Sequence, residues 1–421
     1  MRSDLSAREA HDAILERTPV LGSETVALPE ALGRVLAEPV VSARRIPPAD
    51  NSAMDGYAVH RADLAGAGPD APRVLPIAFE IAAGGETPRA LPAGSAARIL
   101  TGAPLPDGAD AVVRQEDTER DGDRVAVRVQ PPAGEHVRRA GEDVEPGDEV
   151  LAAGACVGPA ETGMLASLGR GFVAVHQRPR VAILSGGDEL VEPDGDVAGG
   201  RIVSSNSWSI AAQCRALGAV PVYLGIARDT PASIEARLRG GLAADVIVSS
   251  AGVSVGDRDF VRGVLEKLGC RLHFWGVRIK PGYPLAFGSL GDGPPGGGPL
   301  VFGLPGNPVS AMMTFEQFAR PALLKMTGHR RLHRPTLHAT LAEELDKKAG
   351  RLHFVRVRLE RRGDEVVART TGNQSSGVLR SMTEANGLLV FPAEATHLPA
   401  GERVLVQVLD ERFLASDAPG F

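Results

Sequence analysis

A chain of 421 residues with 43% hydrophobic side chains is too long for one core, so roughly two to four domains are expected. Fifty glycines (Gly 50) and Pro 32 with aromatics at only 4% point to many turns and small side chains. The net charge of -6 argues against a general nucleic-acid binder, whose phosphate-tracking surface carries excess Lys and Arg, but leaves room for a local basic pocket. Cys156, Cys214 and Cys270 form no C-x-x-C pair and read as reduced thiols of a cytoplasmic protein. The start, MRSDLSAREAHDAILER, is too charged for a signal peptide, and no apolar run approaches the ~20 residues of a membrane span.

Ser6-Ala-Arg-Glu9 is a capping box that predicts a helix reaching about Arg17, ahead of Pro19. A second short helix is expected from Pro29 to Glu38. Ile46 to Tyr57, IPPADNSAMDGY, has two prolines and a polar run, which predicts a shaped surface loop. Asp50 and Asp55 either cap turns there, the usual role of Asp beside Asn or Gly, or Asp55 offers a carboxylate to a ligand. Short strands are predicted at 73–81, 96–100, 111–114 and 124–129, so that 46–145 forms a small β-rich domain. Thr101, in a Thr-Gly turn, either donates to a phosphate or ties its own turn. Gly141-Glu-Asp143 closes the domain with acidic side chains. A helix follows over 157–168, with Pro159 near its first position and Gly169 after its end.

From Val181 to Gly328 strands and helices alternate. Strands are predicted at 181–184, 221–224, 246–248, 285–287 and 300–304. Helices are predicted at 206–217 with Asn206 as its cap, at 231–242, from Phe260 to Gly269, and from Pro308 onward. That order implies a doubly wound α/β sheet, with ligands beyond the carboxyl ends of the strands. The loops there are Ser185-Gly-Gly-Asp-Glu189, Arg228-Asp229, Ser249 to Asp259, and Gly303 to Ser310. The third, SSAGVSVGDRD, carries Ser250, Gly252, Ser254, Gly256, Asp257 and Asp259 at a helix mouth. It is either a site for an anion and its metal ion or an ordinary β-α turn with Asp259 as N-cap. No G-x-G-x-x-G follows a strand and no G-x-x-x-x-G-K-[ST] occurs, which disfavours dinucleotide oxidoreductases and removes P-loop NTPases. Asp188, Glu189, Asp229, Asp257 and Asp259 are candidates to gather around Mg2+, a hard ion that prefers oxygen. Lys280 either neutralises a phosphate or oxyanion or is simply solvated.

The blocks DNSAMDGYAV, RILTGAPLPDGADAVVRQED, GEDV, SGGDEL, SSAGVSVGDRDF, IKPGYPLAFG and GLPGNPVSA, in that order over nearly the whole chain, resemble the molybdopterin molybdenumtransferase (MoeA) family, which is related to the enzyme half of gephyrin. The resemblance implies a multidomain α/β and β protein. Its parts are a helical linking domain (1–45 and 146–178), a β-rich insertion domain (46–145), a doubly wound α/β molybdopterin-binding domain (179–329) and a C-terminal β-barrel-like domain (330–421). Alternation at 354–359 and 404–408, with no long helix, agrees with the last.

The resemblance further implies a homodimer whose cleft joins the α/β domain of one subunit to the β-rich domain of the other. The implied reaction inserts molybdenum from molybdate into adenylylated molybdopterin with Mg2+ and releases AMP. Carried onto this sequence, it makes Asp55, Thr101, Asp143, Glu189, Asp229, Asp259 and Lys280 the catalytic positions. Ser250, Gly252, Ser254, Gly256, Asn307, Ser310 and Ser376 become substrate-binding positions, and Asp229, Asp259 and Glu189 the metal ligands. Molybdate, a tetrahedral dianion, suits Lys280, Ser310 and the loop at Asn307. Other cofactor-synthesis proteins and apo-molybdoenzymes are candidate partners; nucleic acid and membrane are not. The sequence departs from the family at Gly186, commonly Thr, at Gly276, commonly basic, and at Tyr283, commonly Lys. Two absent cations would weaken molybdate binding, each charge-assisted contact being worth about 1.5–3 kcal/mol, with Arg278 the candidate to compensate. The alternative reading is a molybdopterin-binding scaffold with little or no catalysis, against which the acids at 55, 143, 189, 229 and 259 argue.

Overall fold

The computed structural model describes residues 2–84, 90–250, 260–291 and 297–415. Contacts divide the chain into two units, one of Ala27–Leu32 with Glu38–Val173 and one of Met1–Val26, Gly33–Ala37 and Ala174–Phe421. Among the described residues no helix is long and apolar enough to cross a membrane.

The first unit is built on a six-stranded sheet in the order Ala111–Arg114, Gly56–Val59, Ala96–Ile99, Arg73–Ile81, Arg124–Val127, Thr118–Asp121. Alternate residues feed two cores. Tyr57, Val59, Val113 and Val125 fill one, and Ala58, Ile99 and Val112 fill the other, as a pleat with period two requires. The predicted loop at 46–57 therefore ends early, since Gly56 and Tyr57 open a central strand and Tyr57 is only 1% exposed. Gly56 has to be glycine: a Cβ there would lie 1.9 Å from the Val113 carbonyl oxygen. The helix expected over 29–38 is a single 3-10 turn, Leu28–Glu30. Gly33 takes φ +73, which no helix continues through, and Leu36 then bridges Val175 in extended form. The Pro159–Ser167 helix forms as predicted, with Glu161 accepting from the Gly158 N–H at 2.9 Å.

The second unit opens with the helix Ala7–Arg17, capped by Ser6 and Glu9 as the capping box predicts. Its sheet has seven strands in the order Arg2–Leu5, Cys270–Val277, Ala286–Leu290, Leu300–Gly303, Val246–Ser249, Arg180–Gly186, Val220–Ala227. The last four run parallel, whereas Ala286–Leu290 is antiparallel to both neighbours, so the wound sheet is mixed. Val246, Ile247 and Val248 are fully buried because helices cover both faces, and their side chains divide between two cores. The helix at 205–216 starts at Ser205, one residue before the predicted cap. Asn206 lies in its first turn and donates from Nδ2 to the Gly306 carbonyl at 2.7 Å.

Five strands, Thr336–Leu341, Leu352–Arg362, Glu365–Thr370, Gly387–Phe391 and Arg403–Val408, pair in a closed ring, the expected barrel. Closure gives each strand of the ring a neighbour on both sides over part of its length, while Leu352 and His353 lie beyond the reach of Glu365–Thr370. A two-residue strand, Ile279–Lys280, adds to it in parallel, with Ile279 opposite Leu352 and Lys280 opposite His353.

Phe287 sits between Phe274 and Phe302, with ring centroids 5.7 and 5.1 Å away, and is fully buried. Phe287→Ala is expected to destabilise the second unit by about 3–5 kcal/mol through lost transfer energy and a retained cavity. The check is the fall in that unit's denaturant midpoint.

Candidate substrate-binding site

Pairing of Ile279–Lys280 with Leu352–His353 brings two cavities to a common wall. One, of about 480 Å³, is lined by Lys280, Asn307, Ser310, Arg351, Gln374 and Ser376. Asn307 Nδ2 donates to Ser376 Oγ at 3.1 Å, and the Val309 N–H donates to the Ser376 carbonyl at 3.1 Å. The second, of about 570 Å³ at the barrel mouth, shares Lys280 and Arg351 and adds Lys347, His353, Arg356 and Phe391. Among the described residues none of Lys280, Lys347, Lys348, Arg351 and Arg356 is ion-paired with a carboxylate. Burial, and then the charges of Lys280, Lys347 and Arg351, push the His353 imidazole down to about 4. It is neutral at physiological pH.

Arg356 is 1% exposed, and burial lowers its guanidinium to about 10. Its donors go to neutral oxygens: Ser381 Oγ at 3.0 Å and the carbonyls of Ser375 at 3.2 Å and Asn373 at 3.4 Å. The Arg356 N–H donates to Gln374 Oε1 at 2.9 Å, and Gln374 Nε2 donates back to the Arg356 carbonyl at 3.1 Å. This lattice fixes the 373–376 turn and with it Ser376 at the pocket wall.

The acidic positions lie elsewhere in the same unit, at the carboxyl ends of Arg180–Gly186 and Val220–Ala227. Asp188 and Asp229 exchange backbone-to-carboxylate hydrogen bonds of 3.4 and 3.3 Å, and both are exposed, as is Glu189. These are hard oxygen donors, the right chemistry for Mg2+. Among the described residues, however, no group of three or more acids, histidines or cysteines converges closely enough to hold an ion. Beneath them runs a buried hydroxyl network. Ser185 Oγ lies 2.5 Å from Ser207 Oγ and 3.0 Å from Ser250 Oγ, and Ser204 Oγ donates to it at 3.0 Å. Ser250, 3% exposed, thus has its hydroxyl committed to Ser185.

In the β-rich unit, Asp55 Oδ1 accepts from the Thr101 N–H at 2.7 Å and from Thr101 Oγ1 at 2.8 Å. Those two donors, the backbone one first, hold the Asp55 carboxyl below its ordinary range. Thr101 therefore ties this turn through Asp55. Asp143 is exposed in the Gly141 turn, its N–H donating to the Ile46 carbonyl at 3.1 Å. Of the predicted positions, Lys280, Asn307, Ser310 and Ser376 meet at one cavity. Gly252, Ser254, Gly256 and Asp259 lie outside the described residues.

Arg278 does not take the compensating role expected of it. Its guanidinium donates to the Asp4 carbonyl and lies 3.5 Å from the Asp4 carboxylate, and it lines neither cavity. Arg351 is the second cation at the pocket. The sequence reading missed it, together with Gln374, Lys347, His353 and Arg356. The base-rich stretch Lys347-Lys-Ala-Gly-Arg-Leu-His353 and the polar run Asn373-Gln-Ser-Ser376 between two strands were the available signals.

An open wound sheet joined to a closed barrel, with unpaired cations and hydroxyls where they join, defines a multidomain α/β protein with a cationic, hydroxyl-lined cavity. Residues 5–169 match the family model of the MoeA N-terminal region (domain I and II), 182–325 a probable molybdopterin binding domain, and 338–409 the MoeA C-terminal region (domain IV). The chain is 37% identical to a molybdopterin molybdenumtransferase of Nostoc sp., covering 95% of this chain and 93% of that protein. It is 36% identical to the one of Haemophilus influenzae, covering 96% and 98%. The crystal structure of the molybdopterin biosynthesis moeA protein from Pyrococcus horikoshii superimposes with a TM-score of 0.81 at 30% identity, covering 96% of this chain and 100% of that one. The chain belongs to the MoeA family.

The histidine shifts carry a pH dependence. His353 takes up a proton at about 4 in the folded protein against an ordinary 6.5, and His273, His329 and His333 shift the same way. Between those values the unfolded chain binds more protons, so stability is full above about pH 6.5 and is lost as pH falls toward 4. The melting temperature should fall over that window, and His353→Gln should flatten the slope.

Proposed function

We propose that this protein inserts molybdenum from molybdate into adenylylated molybdopterin and releases AMP. The observation that carries the reading is the 480 Å³ cavity that Lys280 and Arg351 line together with Asn307, Ser310 and Ser376. A tetrahedral dianion needs fixed positive charge plus several short donors around it, and both cations here are free of competing carboxylates. Lys280 supplies a point charge, Arg351 a planar fork, and Asn307, Ser310 and Ser376 the neutral donors. The relatives named above carry the enzyme's name, which favours catalysis over a non-catalytic pterin-binding scaffold.

Ser250 and the glycine-serine segment after it are assigned to the pterin phosphate. Asp229 and Glu189, with Asp259, would hold Mg2+, which when bound supplies charge neutralisation to the phosphoanhydride. Asp55, kept ionised by Thr101, and Asp143 are assigned as further carboxylates of the same reaction. A homodimer, a cytoplasmic location, and hand-over of the product to other cofactor-synthesis proteins or apo-molybdoenzymes belong to the same proposal and rest on family membership.

Purified protein given adenylylated molybdopterin, Mg2+ and molybdate should release AMP. Normal pterin binding with no AMP above background would defeat the reading. Lys280→Ala should lower kcat/KM for molybdate roughly 10- to 150-fold, the loss of one charge-assisted contact. An unchanged value would remove Lys280 from the oxyanion site.

A further inference from the structure

Arg351 lines both cavities, yet among the described residues it makes no ion pair and no hydrogen bond with another side chain. A long, solvated guanidinium loses considerable rotamer freedom when held in one place, so something has to hold it. What lies against it is an aromatic ring, with its Cζ 4.6 Å from the centroid of Tyr283. That is the geometry of a cation over a π face.

The ring is itself fixed from three sides. Trp275 meets it edge-on, with centroids 5.7 Å apart and planes at 87°. Burial first, and then the Asp4 carboxylate, raise its hydroxyl above the ordinary range, and the Arg2–Leu5 strand carries Asp4 to this point by pairing with Phe274 and Trp275. Its backbone is tied as well, the Tyr283 carbonyl accepting from Val277 at 2.9 Å and from Leu285 at 2.8 Å. Space for the ring comes from Gly276. At φ +81 that residue disfavours any side chain, and a Cβ there would stand 3.3 Å from the Tyr283 hydroxyl oxygen and 3.4 Å from Cζ. Gly276 and Tyr283 are thus in contact, and a side chain on the first would crowd the ring of the second.

We propose that Tyr283 is a positioning residue of the oxyanion pocket, a rigid aromatic shelf that holds the Arg351 guanidinium at the pocket wall. The tyrosine carries no charge of its own to the anion and acts through the arginine. The shelf rests on the oxyanion reading given above, and the experiment separates the two.

The intact protein is titrated calorimetrically with sodium molybdate, wild type beside Tyr283→Leu, Tyr283→Phe, Arg351→Gln and the double variant Tyr283→Leu/Arg351→Gln. Tyr283→Leu should weaken binding roughly three- to thirtyfold, the span of a cation over an aromatic face. Tyr283→Phe keeps the ring and should recover most of that loss. The double variant should bind no more weakly than Arg351→Gln alone, because removing a shelf under an absent arginine changes nothing. In the AMP-release assay Tyr283→Leu should raise the KM for molybdate and leave kcat near its wild-type value, a split that general destabilisation would not give. Tyr283→Leu binding as wild type does, or losses that add in the double variant, would overturn the shelf alone. Wild-type protein that takes up no molybdate would overturn the oxyanion reading and the shelf with it.

Discussion

Two residue pairs, Ile279 with Leu352 and Lys280 with His353, tie the open sheet to the barrel, and the cationic site exists because of them. The register puts Lys280 beside His353, with Arg351 two residues back along the same chain. It is fixed from behind, since the Arg278 N–H donates to the Leu5 carbonyl at 2.7 Å and the Leu352 N–H to the Arg278 carbonyl at 3.0 Å. Backbone pairing thereby forces like charges together. Burial first, and then these neighbouring charges, keep the His353 imidazole neutral. The charges that remain are already in place, so the proposed anion would meet donors that need little reorganisation.

How the unit treats its buried cations separates structure from site. Glu316, itself buried, takes Arg334 at 2.7 Å and Arg320 at 3.3 Å, so one carboxylate offsets part of the positive charge of the pair. Arg356 is more deeply buried but is given only a hydroxyl and carbonyls. Neutral acceptors satisfy its geometry without neutralising it, which burial penalises, hence the lowered guanidinium. A carboxylate partner would have neutralised it. The unpaired guanidinium instead pins the turn that carries Gln374 and Ser376 while adding positive potential to the barrel mouth. Locally unfavourable electrostatics of this kind are expected where a ligand completes the charge balance.

Much of the fold was legible because its signals are local. The β-branched run Val246–Val248, the capping box at Ser6, Pro159 and the Thr-Gly turn each specify their own conformation. What was hidden depends on distant partners. The 29–38 segment has helix-forming residues, but Gly33 and the bridge from Leu36 to Val175 override them. Reversal of Ala286–Leu290 within a parallel sheet is a matter of pairing that composition does not reveal. The site divides the same way. Lys280, Asn307, Ser310 and Ser376 sit in motifs with turn residues that mark them, whereas Arg351 stands at the start of an ordinary alternating strand. Only its place opposite Tyr283 distinguishes it from the many solvated arginines of the chain. Gly276 and Tyr283 looked in the sequence like two separate losses of cations, and in space they are one contact.

A net charge of -6 and the proposed dianionic substrate are compatible for a reason of distance. At physiological ionic strength exposed charges are screened beyond about 8 Å, so the many surface acids contribute little to the potential inside a cavity. Within that radius the balance is set by whichever charges lack partners. Around the shared wall those are Lys280 and Arg351, and at the barrel mouth Lys347, Lys348 and Arg356 join them. Asp346, the acid in the lining of the barrel-mouth cavity, is engaged by His397 Nδ1 at 2.8 Å. The same screening lets an acidic surface suppress binding to extended polyanions, which need a continuous basic track, while a small anion that fits inside the pocket is still attracted. The proposed preference for a compact dianion would thus come from where the unpaired charges lie, with no need for a basic protein.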